Sequence, residues 1–319
     1  MRRSKKPRQA LKATADAEAT GTYVVYVHGI CRHDAGYSAP WFAAMKPYVP
    51  DLPEENRREV LWSDIVHPEA LPTLKRAKVV HDLTLRLMHP EAAKAKATGV
   101  SVEIMDVLAD RAQRQHLEAN VRTLTVDGGA GPAALATLPG VAPQAMFGIP
   151  GLECVEDFSE YLLDRDIRDK VIGRFHQVVR PLVQQGARME IISHSWGTVV
   201  AYEGLRLLDG EAGGSGTVHT FFTVGSALSI PPVKRRLIDE AIDGAKPVLV
   251  QTWVNLNARF DIVGGPLQGV PFAVDQDYLG LAPVGCSSII PNPACAHSSY
   301  FDVQNVAVNR DIFGRHIEA

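Results

Sequence analysis

Ser195 lies in the stretch "MEIISHSWGTVVAYEGLR" (189–206), where an apolar run gives way to a helical pattern. A serine on so sharp a strand-to-helix turn needs small neighbours two positions either side, because bulk there would collide with the adjoining strand and helix. Ser193 and Gly197 meet that need. A serine hydroxyl attacks a carbonyl only when a histidine takes its proton, and the histidine needs a carboxylate to fix its tautomer and stabilise its charged form. Asp261 follows the run "LVQTWVNLNARF", and His297 follows the short apolar run "CSSII" inside "PNPACAHSSYF". The chain order Ser, Asp, His is the one this set takes on an α/β sheet. Alone, Ser195 reads equally well as a helix N-cap. Three reactive residues just past three strand-like runs are much harder to obtain by chance. Asp275 and Asp277 rival Asp261 as the acid, since both fall between the last two expected strands.

Acyl transfer also needs N–H groups aimed where negative charge develops. One is expected from Trp196, the residue after the serine. The other is expected from the loop after the first strand, in His28-Gly29-Ile30: the N–H of Ile30, with Cys31 as fallback. Gly29 allows a close backbone turn there, and His28 is read as a support of the loop rather than a base.

Elements must bring these residues together. "TYVVYVHGI" (22–30), "REVLWSDIV" (58–66), "RMEIIS", "TVHTFFTVG" and "PVLVQTWVNL" read as strands. "VEDFSEYLLDRDIRDKVIGRFHQVVRPLVQQG", "GTVVAYEGLRLLDG" and "PVKRRLIDEAI" read as helices. Alternation of this kind predicts an α/β fold with a mostly parallel central sheet flanked by helices, whose working site lies at the strands' C-terminal ends. The expected organisation is a disordered basic tail over 1–20, a core made of 21–66 and 161–319, and a helical cap insertion over 67–160. Within that insertion the uncharged window 128–152 carries Pro132, Pro139, Pro143 and Pro150. The prolines exclude a membrane-spanning helix there. The window could line an acyl pocket or meet a lipid surface transiently, and the insertion could equally be a buttress on the sheet edge.

Composition removes other classes. The chain's 33 basic and 36 acidic residues give a net charge of −3, which offers no general attraction to nucleic acid. No phosphate loop or dinucleotide fingerprint is present, and the remaining histidines lack ligand spacing, so no cofactor and no metal are expected. Four cysteines without C-x-x-C spacing point to reduced thiols and a cytoplasmic location, although Cys286 and Cys295 could pair in an exported protein. The sequence says nothing of oligomeric state.

The segments "YVVYVHGI", "EYLLDRDIRDKVIGRF", "ISHSWGTVVAYEGL", "FFTVGSALSI", "WVNLNARFDIV" and "AHSSYFD" resemble those of α/β-hydrolase-fold serine esterases and lipases, especially intracellular lipase-like hydrolases. The resemblance covers roughly 22–66 and 155–310. It departs at the elbow, which is S-x-S-x-G with Ser193 in place of the familiar first glycine. It implies hydrolysis of a small-molecule or lipid ester by Ser195, His297 and Asp261 through an acyl-enzyme. An amidase, thioesterase or acyltransferase with the same three residues, and a catalytically silent binding module, are the alternatives.

Overall fold

Strands form where β-branched and aromatic residues concentrate: β1 (Thr22–Val27), β2 (Arg57–Val60), β3 (Arg188–His194), β4 (Thr217–Val224), β5 (Val250–Ala258) and β6 (Gln276–Leu281). The helices are α1 (Ala39–Met45), α2 (Ser63–Val66), α3 (Val100–Val126), α4 (Val155–Leu163), α5 (Arg165–Gln184), α6 (Gly197–Leu208), α7 (Pro231–Lys234) and α8 (Pro293–Ser298), with short helical turns among them. This computed structural model describes residues 21–66, 100–126, 155–211, 215–269, 271–286 and 292–317. The tail 1–20, the window 128–152 and most of the run "CSSII" lie outside the described residues.

All six strands are parallel, in the order β2-β1-β3-β4-β5-β6. Period-two alternation buries both faces. Val25, Val27, Met189, Ile191, Phe221 and Trp253 join one core cluster, whereas Val24, Tyr26, Ile192, Phe222, Val254 and Leu256 join the other. The chain adds β2 on one side of β1 and β3 on the other. The crevice above the C-terminal ends of β1 and β3 is therefore the switch point at which open α/β sheets bind ligands.

Four local expectations are corrected. The strand expected over 58–66 ends at Val60, and 63–66 is helical. The Trp62 N–H is taken by His28 Nε2 (3.1 Å) and the indole N–H by His28 O (3.1 Å), which draws the chain out of the ladder. The long helix before β3 breaks at Asp164, whose carboxylate caps α5 by accepting from the N–H groups of Asp166 and Ile167. The helix expected in "PVKRRLIDEAI" stops early, where the Ile238 N–H turns to the buried Glu203 carboxylate at 2.7 Å. Finally, Cys286 and Cys295 are not reduced thiols: their Cα atoms lie 5.7 Å apart, within disulfide range, and they are bonded. Cys31 is disulfide-bonded as well.

Of the expected insertion, the stretch 100–112 is packed on the core. Val100, Ile104, Met105, Leu108 and Ala112 recur every three or four residues on α3 and are buried in the first cluster. Among the described residues no helix is long and apolar enough to cross a membrane.

Candidate active site

The turn from β3 into α6 forces Ser195 into the left-handed region, at φ +56°. A non-glycine residue held there costs roughly 1–3 kcal/mol and persists only when its surroundings impose it. They do. The Ser195 N–H donates to Val224 O at 2.9 Å, and its carbonyl accepts from Thr198 N (3.2 Å), Thr198 Oγ1 (2.6 Å) and Ala227 N (3.3 Å). Gly197 allows the elbow to close, because a Cβ on it would lie 2.1 Å from His28 O. Serine is tolerated at the first small position because the buried Ser193 hydroxyl donates to Phe222 O at 2.8 Å.

The three reactive residues named from sequence meet at this point. Ser195 Oγ donates to His297 Nε2 at 2.8 Å, and His297 Nδ1 donates to both oxygens of Asp261 at 3.0 Å. His297 rides on α8, capped by Asn292, and Asp261 follows β5. The rivals are engaged elsewhere: Asp275 pairs with Lys246 and accepts the Trp253 N–H, and Asp277 accepts from Asn255, Leu267 N and Gln268 N. Asp277 sits within β6, which the sequence reading did not find.

Asp261 is 2% exposed, and burial alone would push its carboxyl up. The His297 charge, the Tyr300 hydroxyl and backbone N–H groups outweigh burial and hold it down at about 2. Val263 N (2.9 Å) and Gly264 N (3.0 Å) donate to Oδ1, and Tyr300 OH donates to Oδ2 at 2.6 Å. His194, beside Ser195, is kept neutral by burial and the neighbouring His297, which push it down to about 3. Its Nε2–H donates to His297 O at 2.9 Å.

The loop after β1 runs against the serine. A Cβ on Gly29 would lie 2.8 Å from Ser195 Cβ. Ile30 and Trp196 are both buried beside it. His28 accepts from Trp62 N, so its proton is on Nδ1, which donates to Gly29 O at 2.6 Å; the ring braces the loop.

Sequence reasoning missed Tyr300, His194 as a contact of His297, and Gly225. Tyr300 is three residues after His297, a spacing that places it on the same side of a helical turn. A Cβ on Gly225 would lie 2.7 Å from Asp261 Oδ2 and 3.0 Å from His297 Nδ1, so the residue just past β4 must carry no side chain. The chain matches no protein-family model, no curated protein and no solved structure.

Proposed function

We propose that this protein is a serine hydrolase of the α/β-hydrolase fold that cleaves carboxylic esters of small molecules or lipids through an acyl-enzyme. The single observation that carries the reading is the buried series Ser195–His297–Asp261, with the serine at positive φ on the strand-to-helix turn. Ser195 Oγ attacks the ester carbonyl carbon while His297 Nε2 takes the hydroxyl proton. The oxyanion is held by the N–H groups of Trp196 and Ile30. As the carbon–oxygen bond to the alcohol breaks, His297 returns the proton to the leaving oxygen. Water, deprotonated by the same nitrogen, then attacks the acyl-enzyme and frees Ser195. Asp261 stays ionised throughout and stabilises the imidazolium.

The strand order, the serine after β3, the acid after β5 and the base after β6 support the α/β-hydrolase assignment. α3 serves as a buttress of the core, and the rest of the proposed cap, 67–99 and 127–154, lies outside the described residues. The disulfide beside α8 favours an oxidising compartment over the cytoplasm expected from composition.

Hydrolysis of p-nitrophenyl esters of increasing chain length tests the reading. Wild type should turn over and show a preferred acyl length, while Ser195→Ala should lose on the order of 10⁴-fold in kcat. Equal rates in the two proteins would remove Ser195 from the chemistry.

A further inference from the structure

Asp261 is served by a second charged residue that comes from the helical insertion. Arg111 lies on α3, and all of its bonding acceptors are neutral. Nη1 donates to Ser229 Oγ (3.1 Å) and to the carbonyls of Ile262 (3.0 Å), Val263 (3.0 Å) and Gly264 (3.2 Å). Nη2 donates to Ser229 O at 2.8 Å. One turn along α3, Gln115 Nε2 donates to Asp261 O at 3.1 Å.

These acceptors are not arbitrary carbonyls. The peptide unit whose C=O belongs to Ile262 carries the N–H of Val263, and the unit whose C=O belongs to Val263 carries the N–H of Gly264. Those two N–H groups are the donors to Asp261 Oδ1. Two peptide units thus stand between guanidinium and carboxylate, each with its oxygen on the cation and its hydrogen on the anion. Hydrogen bonds in series polarise one another, and a low-dielectric interior strengthens them. The planar guanidinium suits the role because two nitrogens held rigidly in one plane reach the 262–264 carbonyls and Ser229 together.

We propose that Arg111 is a positioning residue for the Asp261–His297 pair: it clamps the 262–264 turn by its carbonyls so that the same peptides present their N–H groups to Asp261. The insertion is then part of the acid's setting. Cutting α3 away would undo the site even if the six strands remained. The kinetic consequence rests on the serine-hydrolase reading; the geometric one does not.

Two measurements on Arg111→Met and Arg111→Lys separate these. The first is the far-downfield proton resonance of His297 Nδ1–H, identified by its loss in His297→Gln, which reports the hydrogen bond to Asp261 without any substrate. The second is the rate of labelling by a fluorophosphonate. In Arg111→Met the resonance should move upfield and labelling should slow by roughly 10²-fold, with part of the rate returned by added guanidinium ion. Arg111→Lys should change both in the same direction by less. Arg114→Met, at an exposed position on the same helix paired with Asp110, should match wild type in both. A folded Arg111→Met with the wild-type resonance and labelling rate would overturn the proposal; if that variant does not fold, wild-type values in Arg111→Lys would do so. A resonance that moves in a protein whose wild type takes no label would sink the hydrolase reading and leave the positioning role standing.

Discussion

The Tyr300 hydroxyl donates to Asp261 Oδ2 at 2.6 Å and accepts the Ala258 N–H at 2.7 Å, so one side chain joins the segment that carries the base to the end of the strand that carries the acid. Burial and the Asp261 charge hold Tyr300 well above the usual phenol range, so it remains a donor wherever the fold persists. Tyr300→Phe removes a bond to a buried carboxylate and leaves Ala258 N without its acceptor. The expected cost is about 1–3 kcal/mol of unfolding free energy, with kcat lowered on the order of 10-fold through looser placement of Asp261. Chemical denaturation and steady-state kinetics on the variant check both; an unchanged kcat would show that His297 and the backbone suffice to hold the acid.

The depressed Asp261 carboxyl makes a prediction about acid stability. Its folded value, about 2, lies below its ordinary 3.8. The contribution is therefore complete above that ordinary value and is lost as pH falls through the window between the two. A shift of this size corresponds to roughly 2 kcal/mol. Asp261→Asn cannot titrate, so its unfolding free energy should fall less steeply than that of wild type between about pH 4 and pH 2. Comparing the variant with wild type cancels other carboxylates, such as Glu59, that are also held low. Parallel pH curves would contradict the linkage.

Much of the site could be read from the sequence because Ser195, Asp261 and the His28-Gly29 loop each follow a strand whose apolar residues announce it. Ser195 follows "EII", Asp261 follows the nine-residue β5, and His28-Gly29 follows β1. β6 gave no such signal: "QDYLGL" is an edge strand of mixed polarity, exposed or half-buried along its length, so no apolar run marks it. Gly225 and Arg111 were illegible for another reason. Each acts by approaching groups brought together only by tertiary packing, and neither spacing nor composition around them encodes that approach. "LWSDIV" misled because its β-branched and aromatic residues suit a strand, while the bonds from Trp62 to His28 decide otherwise.

The disulfide between Cys286 and Cys295 closes a short loop, with a sequence separation of 9, two residues before His297. Cross-linking a loop of that length is worth roughly 2–3 kcal/mol through the unfolded chain. The double variant Cys286→Ser, Cys295→Ser should unfold at a lower temperature than wild type. A thiol reductant also cuts the bond at Cys31, so reduced wild type should melt at or below the temperature of the double variant. A melting temperature insensitive to both changes would show that α8 is held by its other contacts alone.

The central claim is that Ser195 is the nucleophile of a working hydrolase, and active-site labelling tests it most directly. Wild type and Ser195→Ala are incubated with a fluorophosphonate, and intact mass and fragment spectra are recorded. The account predicts one adduct per chain, on the peptide containing Ser195, and none in the variant, because only a serine hydrogen-bonded to a neutral histidine displaces the fluoride. No adduct on folded wild type, or an adduct that persists in Ser195→Ala, would contradict it.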